Sequence, residues 1–316
     1  MGDSMYNEEI KRKFLEEFDP KQSRGGGPTA IMQKIGPYEE SIGKDIAEMT
    51  MQEAQRAIIS AKFREYSVLR LAISIFRKYS EWCMKNNVFS DMPDGVRSLK
   101  AKDFDLSDGM AENAFKDEEE FFNTLKAIYS FEDGIADVPY LALAWAGLKK
   151  KEIIELLDSE IDLDNRVILN HDGTIMIPWF SDAVFDALTK YVNCKRATRG
   201  HHSGVKDVIK DMSVNTFLKK MLMPNSKDFG THYKQSTIDT HIKDEQNKCS
   251  SQPRVFPTFM NVWNSGRYYH LYSIEQSGVD VYAPENKELV ESVFRSDKKY
   301  FETIKMYDNY KKAFSL

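Results

Sequence analysis

Between residues 66 and 86 the apolar side chains Leu69, Ala72, Ile73, Phe76, Tyr79 and Cys83 recur in steps of three and four. That spacing lines them along one stripe of an α-helix, with Arg70, Arg77 and Lys78 off the stripe. A helix with a single apolar face is stable only when other elements cover it, so the segment calls for helical partners nearby. Residues 7–18 supply one, with Phe14, Leu15 and Phe18 inward. The stretch "KQSRGGGPTA" reads as a loop leading to a helix, with Pro28 at a first helical position. Gly25–Gly27 lack the Gly-Lys-Ser/Thr that completes a phosphate-binding loop, so they read as loop alone. Thr50 and Glu53 have the spacing of a capping box for a further helix. The first 87 or so residues are therefore expected to form a bundle of about four helices.

"FSDMPDGVRSLKAKDFDLSDGM" follows, rich in Pro, Gly, Asp and Ser and without a sustained period. We read it as an interdomain linker, giving a helical domain over 1–90, a linker over 91–115 and a second domain over 116–316. In the second domain "KDEEEFFNTLKAIYSF" is a helix whose opening acids suit the positive end of the helix dipole. "VPYLALAWAG" is an apolar helix ended by Gly147, and "KKKEIIELL" opens the next. "RVIL" and "TIMIPW" flank "NHDG" and form a β-hairpin. "SDAVFDALTKYV" is a capped helix, "CKRATRGHHSGVK" a basic loop and "SVNTFLKKML" another helix. Residues 224–253 read as polar loop. "SGRYYHLYSIEQSGVD" is a helix ending at Gly278, and two lysine- and aromatic-rich helices occupy 286–314. The fold class expected is mainly α with a small β-hairpin or sheet.

The net charge of −5 argues against a nucleic-acid partner until its distribution is considered. Residues 1–105 hold 17 basic and 17 acidic side chains, 106–164 hold 5 and 15, and 165–316 hold 22 and 17. The acidity sits in one block, and anion binding depends on local patches rather than on the total. No apolar run approaches the roughly 18 residues of a membrane span, and no secretory signal is evident. Met1–Ser4 read as a tag remnant before Met5. Cys83, Cys194 and Cys249 are odd in number and read as free thiols, which suits a reducing cytoplasm. Cys194, His201, His202, His241 and Cys249 have no compact ligand spacing, so no metal is expected.

The order of helix, "GLKKKE" turn, helix, β-hairpin, helix, long polar stretch, helix ending in "GVD" and a last helix with "TIKMY" resembles the catalytic domain of the phage integrases, or tyrosine recombinases. The first domain resembles their helical, SAM-like core-binding domain. The resemblance covers nearly the whole chain and implies two domains that clamp duplex DNA. It also places the family's active site on this sequence. The first active-site arginine, after a Thr-Gly-Leu turn, is matched by Ala146-Gly147-Leu148-Lys149, so lysine stands for arginine. The hairpin lysine has no match, since only Arg166 and His171 are basic in 166–177. The His-x-x-Arg motif is matched by Asn264 and Arg267. The second histidine falls near Phe294-Arg295-Ser296 and is lost. Tyr307 matches the nucleophilic tyrosine, about two residues late in spacing.

Strand exchange attacks a phosphodiester and passes through a phosphorane with added negative charge, held by planar paired bonds from two arginines. Lysine lacks that fork. Losing one oriented donor costs about a hundred- to a thousandfold in rate. No catalytic residue is therefore expected, and Lys149, Asn264, Arg267 and Tyr307 are vestigial positions. Taken alone, Tyr307 and His270 read as packed core side chains.

Binding survives such losses, because a lysine still neutralises a phosphate and releases counterions. Lys149, Lys150 and Lys151 open a helix where cations oppose the dipole, which calls for another reason for their presence. With Arg267 they form the first candidate DNA contact. Lys195, Arg196, Arg199, His201, His202 and Lys206 form the second, in a loop without an acid. Asn215, Lys219 and Lys220 on the following helix could reach a groove, Asn215 as a candidate for adenine. Lys62, Arg64, Arg70, Arg77 and Lys78 form a positive face in the first domain.

The function expected is non-catalytic, sequence-specific binding of double-stranded DNA at phage operator sites. The setting expected is a prophage repressor that maintains lysogeny in a bacterial cytoplasm, associated with the nucleoid. No cofactor and no membrane enter this reading, which leaves room for a regulatory protein or signalling peptide and sets no oligomeric state. Two readings compete: a working recombinase that uses Tyr307, and a helical partner-binding protein that never touches DNA.

Overall fold

The computed structural model describes residues 5–18, 27–129, 138–178, 180–201, 204–249, 253–295 and 300–316, with 198–201, 204–206 and 248 described in backbone only. Met1–Ser4, Gly25, Gly26 and His202 thus lie outside the described residues. The fold is mainly helical with two small antiparallel sheets, as the sequence leads one to expect. It divides into two compact units, Met1–Met110 with Lys305–Leu316, and Ala111–Ile304.

The first unit contains α1 (Glu8–Phe18), α2 (Gly27–Ile42), α3 (Met51–Ser60) and α4 (Tyr66–Lys85). The stripe on α4 is buried as its period requires. Phe14 of α1 packs edge-on against Tyr79 of α4, their ring centroids 5.2 Å apart. Thr50 and Glu53 form the capping box that starts α3. The core also holds charge. Lys11 pairs with Glu39 and lies 3.8 Å from Asp45, all three fully buried. Tyr79 donates to Asp45 (3.1 Å), as does Asn7 (3.2 Å). One cation between two carboxylates leaves an excess negative charge in a dry site. Burial accordingly pushes the Glu39 carboxyl up to about 7.

The segment expected as a linker is largely part of this unit. Val96, Leu99, Phe104 and Leu106 are buried, and the short helix α5 (Ser107–Asn113) follows them. Tyr66 donates to the Phe104 carbonyl (2.7 Å), and Arg77 donates to the carbonyl of Leu99. The polar turn residues that suggested a linker are spaced by single apolar anchors, a pattern with no helix or strand period. The end of α13 (Tyr300–Phe314) also belongs here. Asn309 accepts from the Leu106 amide (3.3 Å), Lys305 donates to the Lys102 carbonyl (2.7 Å), and Lys312 pairs with Asp105.

In the second unit α7 (Pro139–Trp145) is buried along its whole length. Around it lie α6 (Glu118–Ile128), α9 (Asp182–Asn193) and α11 (Phe259–Gln276). Gly266 of α11 allows close helix contact, because a Cβ there would meet the Trp145 carbonyl at 2.1 Å. Gly147 ends α7 at φ +106°, a conformation that L side chains rarely adopt, and starts the turn into α8 (Lys150–Glu155). The expected hairpin is present as β2 (Val167–Leu169) and β3 (Ile175–Ile177), with β1 (Ile161–Asp162) added on the β2 side.

Three expected elements differ. The basic loop is a β-hairpin, β4 (Arg196–His201) and β5 (Gly204–Lys210), with β6 (Met221–Leu222) beside it. The helix expected over "SVNTFLKKML" does not form. Ser213 is tied to Asp211, the Phe217 amide donates to the Leu156 carbonyl (2.7 Å), and Thr216 bridges Leu157. Long-range pairing thus overrides local helical spacing. The region expected as polar loop contains α10 (Gln235–Lys248), anchored by the buried pair Ile238 and Ile242. Two apolar residues are too few for a visible period. Finally α12 (Lys287–Phe294) ends at Arg295 in the left-handed conformation (φ 43°).

Candidate nucleic-acid interface

The three lysines after Gly147 have separate fates. Lys149 stands at the head of α8 with its side chain exposed, and its amide donates to Glu152 (2.7 Å). Lys150 turns inward, paired with Asp239 of α10 and 5.2 Å from the Phe259 ring centroid. Lys151 is exposed, its ammonium 3.9 Å from Glu155. Two of the three can therefore meet an anion without breaking a close ion pair.

Arg267 is 1% exposed. Its Nε donates to the Trp263 carbonyl (3.1 Å), Nη1 to the Phe294 carbonyl (2.5 Å) and Nη2 to Asn264 Oδ1 (2.6 Å). The guanidinium lies 3.2 Å from the Trp263 ring centroid. Asn264 and Arg267, the positions matched to the His-x-x-Arg motif, thus meet each other, in a clamp between α11 and the end of α12. The expectation that Arg267 contacts DNA directly does not fit this burial, because its planar fork is already used by internal acceptors.

Arg295, in the turn where the second histidine was matched, was not among the expected DNA contacts. It donates to both oxygens of Glu152 (2.9 and 3.2 Å), the carboxylate that also receives the Lys149 amide. Arg295 and Arg267 line one cavity of about 90 Å³ with Trp145, Ile177, His270 and Ser292. Burial lowers the His270 pKa, so its ring adds little positive charge. Lys149 is therefore linked through Glu152 and Arg295 to the cavity of Arg267. The available sequence signal was a basic residue at the turn that closes α12.

Lys195 is exposed at the foot of the β4–β5 ribbon, and Arg196 pairs with Asp207 across it. Register sets Arg199 opposite Lys206 and His201 opposite Gly204. Asn215 is exposed. Lys219 is buried and bonds Asp158 (2.7 Å) and the carbonyls of Val214 and Thr216 (3.0 Å each), a structural role that removes it from the expected contacts. Lys220 donates to Thr231 Oγ1 (2.5 Å). In the first unit Lys62, Arg64, Arg70 and Lys78 are exposed, and Lys78 lies 4.9 Å from the Phe18 ring centroid. Arg77 is turned toward Leu99. Tyr307 is fully buried in the first unit, with Lys311 4.9 Å from its ring centroid.

Residues 5–85 match the family described as MrpR, N-terminal core-binding domain. The match spans α1 to α4, so Lys62, Arg64, Arg70, Arg77 and Lys78 all lie within the core-binding match. A crystal structure of XerA recombinase is 15% identical, with 95% of this chain and 92% of that chain covered and a TM-score of 0.39. The Tn1549 transposon integrase in complex with circular intermediate DNA is 12% identical, with 96% and 95% covered and a TM-score of 0.37. The same integrase with transposon right end DNA gives 11%, 94% and 94%, and 0.38. No curated protein matches the sequence.

Proposed function

We propose that this protein is a non-catalytic, sequence-specific binder of double-stranded DNA built on a tyrosine-recombinase scaffold, acting as a prophage repressor. The observation that carries the reading is the fate of the two groups on which strand cleavage would depend. Tyr307 is sealed in the core of the first unit, and the Arg267 guanidinium is spent on internal acceptors. Exposed cations remain where a backbone could be gripped: Lys149, Lys151, Lys195 and, within the core-binding match, Lys62, Arg64, Arg70 and Lys78. Each phosphate so neutralised releases counterions and favours binding without any bond being broken. In this reading, which takes the chain to be similar to the integrase-like master repressor of SPβ-type Bacillus prophages, the bound sites are phage operators. In this reading the protein acts in the host cytoplasm, on the nucleoid.

The test is fluorescence anisotropy with phage promoter fragments at several salt concentrations, run beside a suicide-substrate assay. Salt-dependent, sequence-selective binding without a covalent adduct is expected. An adduct that disappears in Tyr307→Phe would establish the second reading, a working recombinase, which is favoured by the shared cavity of Arg267 and Arg295. Absence of any salt-dependent binding would leave only a partner-binding role.

A further inference from the structure

The second unit contains a larger cavity, of about 310 Å³, walled by Trp145, Phe180, Tyr269 and His270 and edged by Glu118 and Ser181. That volume is at the lower end of the range for small-molecule sites. Its walls are fixed. The Trp145 ring stacks on Phe121 with centroids 4.7 Å apart, is tilted against Tyr269 at 5.8 Å, and donates its indole N–H to Glu118 (3.0 Å). The Ser181 hydroxyl donates to the same carboxylate (2.5 Å). Both donors are neutral and both use Oε1, so Oε2 has no partner among the described residues.

The charges around this carboxylate do not compensate it. Burial raises the Glu118 pKa, and Asp182 raises it further. Asp182 has its own cation, Arg166, at 2.5 Å. Glu118 and Asp117 both act on Tyr269 in the same sense, as negative charges. A half-buried carboxylate bounded by aromatic rings and acids, with one free oxygen, lacks a cation. Aromatic faces and a desolvated carboxylate are the two groups that recognise ammonium ions.

We propose that this cavity binds a small organic cation, an alkylammonium or quaternary ammonium, held between Glu118 Oε2 and the rings of Trp145 and Tyr269. The proposal does not depend on DNA binding, and its test uses the full chain without DNA, so either idea can fail alone. Choline and its neutral carbon isostere 3,3-dimethyl-1-butanol would be titrated calorimetrically. Choline should saturate at one per chain, with the isostere weaker by about tenfold or more, because only the cation gains the ring and carboxylate terms. Glu118→Gln keeps the shape and should lower choline affinity by about tenfold. Ser273→Trp, at an exposed position on the cavity rim, should block the site without touching the core. Equal affinity for choline and isostere, unchanged binding in either variant when folded, or no saturable choline binding at millimolar concentration would each overturn the assignment.

Discussion

Tyr307 has no exposed surface, and under the proposed non-catalytic reading its side chain serves packing. Tyr307→Phe is therefore expected to leave DNA affinity within about twofold of the parent, measured by anisotropy, since the variant keeps the ring and loses only the hydroxyl. The lysines divide by exposure. Lys149→Ala and Lys151→Ala should each weaken DNA binding and reduce the salt slope by about one, as loss of a phosphate contact does. Lys219→Ala should instead leave the salt slope intact and cost about 1–3 kcal/mol in denaturant unfolding, because its ammonium holds Asp158 and two carbonyls together. A drop in salt slope for Lys219→Ala would mean that it reaches DNA after all. The sequence could not separate these lysines. Lys149, Lys150 and Lys151 are identical and adjacent, and only the position of Asp239 on α10 sends Lys150 inward.

At the level of elements, the buried ion cluster joins α1, α2 and α4. Its pH dependence has a definite sign. The Glu39 pKa rises on folding from 4.5 to about 7, so the folded state holds the proton through that window. Stability from this group is full below the lower value and is lost as pH rises toward the upper one. Glu39→Gln removes the titration. The wild type is therefore expected to lose stability relative to Glu39→Gln between about pH 5 and 7, by urea unfolding at fixed ionic strength. A difference that stays constant across that range would refute the assignment. Helices with dense apolar periods, α1, α4 and α9, were legible in the sequence, as was the capped start of α3. The segment 213–222 misled because Val214, Phe217 and Leu218 have helical spacing, while their burial is against strands and bridges. The β4–β5 ribbon was missed because its six residue pairs carry charged and glycine positions rather than alternating apolar ones.

For the molecule as a whole, the chain's two ends belong to one unit. Asn309, Lys305 and Lys312 tie the last helix to residues 102–106, and Tyr307 and Tyr310 are fully buried. A chain ended after Ile304 should thus lose protection in its first unit, seen as faster amide exchange in α4, while α7 in the second unit keeps its own. Unchanged exchange in α4 would contradict the assignment of the C-terminal helix. Sequence alone determined which stretches become helices with one buried face, where "NHDG" reverses the chain, and which residue types stand at the positions matched to the recombinase site. Those properties follow from spacing and residue type, which act locally. Only the tertiary structure decided that the expected linker packs as core, that Arg267 is consumed by carbonyls while Arg295 joins its cavity, and which cations stay in water. Burial and pairing depend on partners distant in the chain, and no local period records them.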